Sequence, residues 1–460
     1  MLKLIPTILL SLMVTAQAQA SQCSGEPLAQ NMLCAPDEGI VPDTGADLSA
    51  QIPALLEKSS AEKKGIFFPA GEYLFSQDVV MTSWNTLQGS TQGTVFRGIS
   101  PTGSAILVGD ETYTNTVTDL TVSHIIFDNA RVGFYGRKNR INLAYNAFVN
   151  TRTATNTGQL TASTNPYLIR GNIFMRGNGY PGVGLNTYGN APGLIIEHNF
   201  LGSPDKMSKA APWLLDDTKA LLETMLTLRE QGKLAFDDTQ DKFVAGWYST
   251  SNLRDGTFRN NFFSGSTNSK LYNPDTGAED ITRDHAVYIK QYDKVVVTQN
   301  YFGGWPEDAS GQLKFRNANG LVFAANYLDN ISFNARPYDN TEPAWWIMTN
   351  TFIFNNYVKN GIINYWQNFY DTADKFITVT DYLVFSNVFD VENKNDCLVS
   401  GQSISLSEEF YESNNRFSDG TDGVVTCGVM NPLSLDDITA RLPDYASELL
   451  NLQPLKPGAD

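Results

Sequence analysis

Residues 284–304, DHAVYIKQYDKVVVTQNYFGG, are followed at 311–330 by GQLKFRNANGLVFAANYLDN. Each stretch runs through a short alternating segment, then an apolar run, then Asn before an aromatic residue. Lys290 lies ten residues before Asn300, and Arg316 lies ten before Asn326. The same unit thus occurs twice, with a cation in the same slot.

The unit recurs along the chain. Asn followed by aromatic or aliphatic residues stands at Asn146, Asn172, Asn199, Asn261, Asn300, Asn326, Asn356, Asn387 and Asn415, with gaps of 26, 27, 62, 39, 26, 30, 31 and 28. A repeat near this length signals a solenoid. Short β-rich runs precede most of these asparagines (GLIIEH, KVVVTQ, GLVFAA), and Gly, Asn and Asp mark turns between them. Neither a leucine-rich pattern nor helical periodicity accompanies the repeat. The expected fold is therefore all-β, a single-stranded right-handed parallel β-helix whose coils stack strands into parallel sheets and whose asparagines form an internal ladder.

Two departures refine this. The 62-residue gap holds SPDKMSKAAPWLLDDTKALLETMLTLREQGKLAFDD, with helical periodicity around Leu221–Leu228, so a helical insertion is expected over about 203–245. Insertions in solenoids often border the binding face. Near the start, DTGADLSAQIPALLEKS reads as an amphipathic helix and GIFFPAGEYLFS as strand, turn and strand. Such a helix caps the open end of a β-solenoid. The expected organisation is a signal peptide at 1–20, an N-terminal cap at 21–75, a β-helix at 76–430 and a tail at 431–460, with Pro432 and Ser434 as helix-start signals.

Met1–Ala20 has Lys3, an apolar core Leu4–Val14 and an Ala-Gln-Ala end, the pattern of a secretory signal peptide. No later segment reaches about 18 uncharged apolar residues, so no membrane span is expected. Export permits disulfides; of the three connectivities, sequence proximity favours Cys23–Cys34 and Cys397–Cys427. With only three histidines, His124, His198 and His285, a His-rich metal cluster is not expected. The net charge of −16 argues against nucleic acid as a partner, because phosphate neutralisation needs clustered Lys and Arg. It also means that any cluster of cations needs a reason.

One such cluster is expected. Equivalent positions in consecutive coils stack about 4.8 Å apart. Counting back from Asn300 and Asn326 aligns Lys290 with Arg316 and Tyr288 with Lys314, while Val287, Ile289, Leu313 and Phe315 alternate inward. Trp346, ten before Asn356, would follow one coil later, and Ser249 and Ser251 one coil earlier. The four outward residues form a two-by-two patch. Stacked like charges cost stability unless an anion binds, and they disfavour protonation of a lysine, the shift a general base needs.

At these residues the sequence resembles a family. AVYIKQYDKVVVTQNYF and GQLKFRNANGLVFAANYL look like the catalytic coils of β-helical polysaccharide lyases of the alginate lyase and chondroitinase B type, and the N-terminal stretch is similar to the cap of the wider pectate-lyase-like superfamily. By that resemblance Lys290 would be the Brønsted base and Arg316 the partner of the substrate carboxylate. The family's Arg-His-Gly becomes Arg316-Asn317-Ala318 here, the turn GWPEDAS is longer, and no clear counterpart of the acidic calcium ligands of some members appears. Calcium is left open, with Asp255, Glu279, Asp280 and Asp284 as the acidic candidates.

β-Elimination on a 4-linked uronate removes the weakly acidic C5 proton. Neutralising the carboxylate stabilises the developing enediolate, and a base of lowered pKa takes the proton. Lys290 and Arg316 fit those parts. Tyr288 is a candidate acid toward the leaving oxygen, able to trade roles with Lys290, and His285 is a further proton carrier. Lys314, Trp346, Trp247, Tyr248 and Trp305 are candidate substrate contacts.

The expected function is that of a secreted monomeric lyase acting on an acidic polysaccharide, alginate-like or a biofilm or capsular exopolysaccharide. Two alternatives stand beside it. A polygalacturonase-type hydrolase needs paired carboxylates, but Asp216-Asp217 and Asp237-Asp238 fall in the insertion. A non-catalytic carbohydrate-binding matrix protein needs no base at all.

Overall fold

A computed structural model describes residues 21–81, 84–100, 104–108, 116–134, 137–151, 153–157, 167–175, 182–187, 193–236, 243–249, 253–265, 270–272, 279–282, 285–305, 311–335, 347–366, 378–402 and 409–458. Their strands fall into a 24-stranded and a 12-stranded sheet, both paired in parallel between successive coils, plus a small hairpin. The fold is a single-stranded right-handed parallel β-helix.

The coil around residue 290 shows how the sequence builds it. His285–Lys290 forms a first wall. Gln291 then takes a left-handed conformation (φ 56°), and Tyr292–Thr298 forms a second wall. After Asn300 the short strand Tyr301–Phe302 forms a third wall. The first and second walls belong to the large sheet and the third to the small one. Inward residues such as Val287, Ile289, Val295, Val297 and Phe302 are at most 2% exposed and join one continuous core.

The asparagine ladder sits at the corner between the second and third walls. Each of the nine asparagines is buried. From Asn146 to Asn387, each backbone N–H and side-chain amide donates to the side-chain oxygen of the next asparagine, at 2.9–3.2 Å. The residue before each asparagine is left-handed, with φ of 50–64°: Tyr145, Gly171, His198, Asn260, Gln299, Ala325, Asn355, Ser386 and Asn414. That conformation costs a non-glycine residue about 1–2 kcal/mol. Two or more ladder hydrogen bonds per coil, each about 1 kcal/mol net, offset it.

Helices close the ends and sides. The capping helix Ile52–Glu62 buries Ile52, Leu55, Leu56 and Ser59. The insertion helix Asp216–Glu230 buries Leu221, Leu222, Met225 and Leu228 against the outer face of the third wall (Val95, Ile126, Ala147, Ile173, Phe200, Phe262), with Trp213 in the same cluster. In the tail, the Ser434 hydroxyl caps the short helix Leu435–Thr439 by accepting from the Asp437 N–H at 3.1 Å. The next helix, Asp444–Ser447, follows directly. Ile438, Leu442 and Ala446 of this tail cover the outer face of the second wall at Val322, Phe352, Phe354, Leu383 and Phe385. Disulfides join Cys23 to Cys34 and Cys397 to Cys427. Residues 1–20, read as a signal peptide in the sequence, lie outside the described residues. Among the described residues no helix is long and apolar enough to cross a membrane.

Candidate functional site

Apolar clusters cover part of two walls on the outside: the insertion covers the third wall as far as Tyr301, and the tail covers the second wall from Val322 to Phe385. Among the described residues no such cluster covers the first wall. The insertion therefore packs on a different wall from the cationic patch. Its buried Leu and Met stripe matches the Val, Ile and Phe residues of the third wall, which would otherwise face water.

On the first wall the strand pairing places Tyr288 opposite Lys314 and Lys290 opposite Arg316. Val287, Ile289, Leu313 and Phe315 are core residues, as alternation requires. The outward four do not share one environment. Lys290 and Arg316 are half-buried, whereas Tyr288 is 7% exposed and Lys314 only 2%. The Arg316 guanidinium lies 5.0 Å from the centre of the Tyr288 ring, diagonally across the strand pair. A cation over an aromatic face gains about 0.5–2 kcal/mol, so the ring fixes the guanidinium. Burial, and then the Arg316 charge beside it, hold the Lys290 ammonium below the usual lysine value of 10.5. Both causes disfavour the charged form.

The ring of Tyr288 is mostly covered and carries the Arg316 guanidinium, which gives it a positioning part beside the acid role expected from the sequence. Lys314 is too buried to be a surface contact. It lies between Tyr288 and Asn334, its register partners on either side.

The remaining candidates separate. Trp305 is 3% exposed and packs in the core against Phe263, ring centres 6.0 Å apart, so it is not a sugar-stacking residue. It follows the Gly303-Gly304 pair, where neighbouring coils approach closely enough that a Cβ on Gly303 would meet the Ser264 carbonyl. The backbone of Trp247 is in register with core Val287, and that of Tyr248 with Tyr288. The backbone of His285 pairs with Gly311. The side chains of these three, together with Trp346, Asp284 and Ser251, lie outside the described residues. Asp255 stands on the second wall and pairs with Lys294 at 3.1 Å, while Glu279 and Asp280 belong to the hairpin with residues 270–272. Among the described residues no group of three His, Cys, Asp or Glu side chains gathers to hold a cation. Asp216 and Asp217 occupy the first turn of the insertion helix, away from the first wall.

Two register expectations change. Tyr248, not Ser249, stands beside Tyr288. The pairings Ser249–Ile289 and Leu253–Tyr292 leave one more residue between walls in the earlier coil, which shifts any count made from Asn261. In the later coil Lys314 and Phe315 pair with Asn334 and Ala335, while Ala318 pairs with Met348. Counting back from Asn356 therefore does not reach the first wall, and Trp346 lies outside the described residues.

Corrected in this way, the column through Tyr288 and Lys314 is longer than the patch. Its register continues through Tyr248, Asn186 and Asn156 on one side and through Asn334, Asn364 and Ser400 on the other. All of these residue types are polar, and none is acidic. The amides flanking the cations were missed in the sequence because the connections displace them from the asparagine count. Two clefts, of about 720 and 810 Å³, lie elsewhere: one between the insertion and the N-terminal coils, the other beside the tail.

No family model matches the chain, and no curated protein matches it. Solved structures similar to it include the surface adhesin PfbA of Streptococcus pneumoniae, at 12% identity over 88% of this chain and 90% of that one, with a TM-score of 0.42. The A-module of the Azotobacter vinelandii mannuronan C-5 epimerase AlgE4 matches at 12% identity over 87% and 97%, TM-score 0.35. The catalytic unit of an α-1,3-glucanase from Streptomyces thermodiastaticus matches at 13% over 88% and 69%, TM-score 0.37. At these identities the likeness is one of fold.

Proposed function

We propose that the protein is a secreted polysaccharide lyase that cleaves an anionic, uronate-containing polymer by β-elimination. The observation that carries this reading is the Lys290–Arg316 pair on the first wall, which no apolar cluster covers among the described residues, with Lys290 held below its usual pKa by burial and by Arg316. Arg316, fixed over Tyr288, binds the uronate carboxylate and stabilises the enediolate that forms as the C5–H bond breaks. Lys290, neutral, takes that proton on Nζ. The C4–O bond then breaks, the C4=C5 double bond forms, and the leaving oxygen receives the proton carried by Lys290. Tyr288 positions Arg316 and does not itself transfer a proton. No step requires a metal held by these residues.

Asn334, Asn364 and Ser400, next along the column from Lys314 and partly exposed, offer hydrogen bonds to neighbouring sugars. The absence of carboxylates from the column's register positions disfavours a hydrolase with paired acids. The two disulfides accord with an oxidising compartment outside the cytoplasm.

Incubation with a panel of uronate polymers (alginate, pectate, glucuronan, hyaluronan), with and without chelator, tests the proposal. Growth of the ultraviolet band of the unsaturated uronate is expected with one of them. Cleavage that yields only saturated ends contradicts it.

A further inference from the structure

The outer column of the third wall changes character along the molecule. Ile173, Phe200, Phe262 and Tyr301 stand in consecutive register and are at most 2% exposed beneath the insertion. The cover ends at Tyr301, where Lys209 of the insertion lies 4.9 Å from the ring centre and pairs with Asp329 at 2.9 Å. The column then continues as Tyr327, Tyr357, Val388 and Arg416, none of them fully buried. Tyr327 and Tyr357 stack with ring centres 4.9 Å apart, and the Tyr357 hydroxyl donates to Asp390 at 2.8 Å, which holds the ring in place.

The end of the chain forms the other side of a cleft over this stretch. Asn355 donates to the carbonyls of Leu450 and Leu452 at 2.7 and 3.2 Å, and the Gly458 N–H donates to Lys209 at 3.1 Å. Gln453–Pro457 is thereby strapped along the corner of the helix. The space between strap and column is about 810 Å³, a volume suited to a few sugar rings. Arg416 enters it from the column and Lys456 from the strap. Both are exposed, and neither forms an ion pair with a described residue. Asn414 and Ser386 add polar groups at the corner.

We propose that this cleft is a second, non-catalytic binding site for acidic polysaccharide, in which Arg416 and Lys456 hold sugar carboxylates beside the Tyr327–Tyr357 stack. It rests on its own residues and does not require turnover at the first wall. On a chain of net charge −16, a polyanion is repelled at long range, so binding needs local cations. Two anchors on adjacent walls also raise the effective concentration of a long polymer at Lys290 without contributing to the chemistry.

The test is affinity electrophoresis of the full chain in gels containing alginate or pectate, with dextran gels as the uncharged control. The samples are wild type, Arg416→Ala/Lys456→Ala and Lys290→Ala, each first shown to melt like wild type. The double variant is expected to bind the acidic polymer roughly tenfold more weakly, the loss of one to two charge-assisted contacts, with dextran mobility and the turnover of short oligomers unchanged. Retardation of the double variant equal to wild type overturns the second site, whatever Lys290→Ala does. An equal loss in dextran gels overturns its selectivity for acidic sugars. Failure of the lyase reading shows separately, as absence of turnover with polymer binding intact.

Discussion

Lys290 and Arg316 are 26 residues apart in sequence and one strand spacing, about 4.8 Å, apart in space. Their alignment was legible because both stretches run to the ladder asparagine without an interruption. What the chain did not reveal is the depth of Tyr288 and Lys314: alternation gives the face of a residue but not what lies over it. Two expectations belong at this scale. The base must be neutral to act, so turnover should rise with pH through the lowered pKa of Lys290. Arg316→Gln removes one of the two causes of that lowering, so Lys290 titrates higher and the rising limb should move to higher pH, which a pH–rate profile reads. Burial remains in that variant, so the limb should still lie below the ordinary lysine value of 10.5. Tyr288 separates the platform role from the acid role. Tyr288→Phe keeps the ring and should retain most of kcat, while Tyr288→Ala should raise KM and lower kcat by releasing Arg316. A loss of activity in Tyr288→Phe as large as in Tyr288→Ala would make the hydroxyl a proton donor.

The elements follow from the ladder. Asn300 donates to Asn326 and to the Phe258 carbonyl, and it accepts from the Asn261 backbone. Asn300→Ala strands that N–H in the core and should cost about 3 kcal/mol, measurable by chemical denaturation. The period of these asparagines was plain in the sequence. The left-handed residue before each was not, since only Gly171 and the asparagines 260, 355 and 414 are of a type that favours it. Tyr145, His198, Gln299, Ala325 and Ser386 adopt it because the neighbouring coils dictate the corner. Likewise Trp305 reads as a surface aromatic in the sequence, and only the stacking of coils at Gly303 turns it inward. Asn334 and Asn364 escaped notice for the opposite reason: the connections before the second wall carry them out of step with the ladder.

At the scale of the molecule, the proposed function rests on the first wall, which no apolar cluster covers among the described residues. The helical character of 203–245 was visible in its Leu spacing, but its seat on the third wall was not, because a sequence pattern does not say which face an amphipathic helix covers. The tail carries the same logic on the second wall. Deleting residues 434–460 bares Val322, Phe352, Phe354, Leu383 and Phe385. Because each buried Leu or Ile contributes about 1.5–3 kcal/mol, the deletion should lower the melting temperature and make the protein bind a hydrophobic dye. Lys290 and Arg316 do not touch that cover, so turnover below the melting temperature should survive.

The most direct test of the central claim is the mass spectrum of the fragments released from a uronate polymer by wild type and by Lys290→Ala. The account predicts that wild type yields fragments whose new non-reducing ends are lighter by one water than hydrolysis products, and that Lys290→Ala, folded and still retarded by the polymer, yields none. Saturated fragments from wild type, or unsaturated fragments from Lys290→Ala at the wild-type rate, would contradict it.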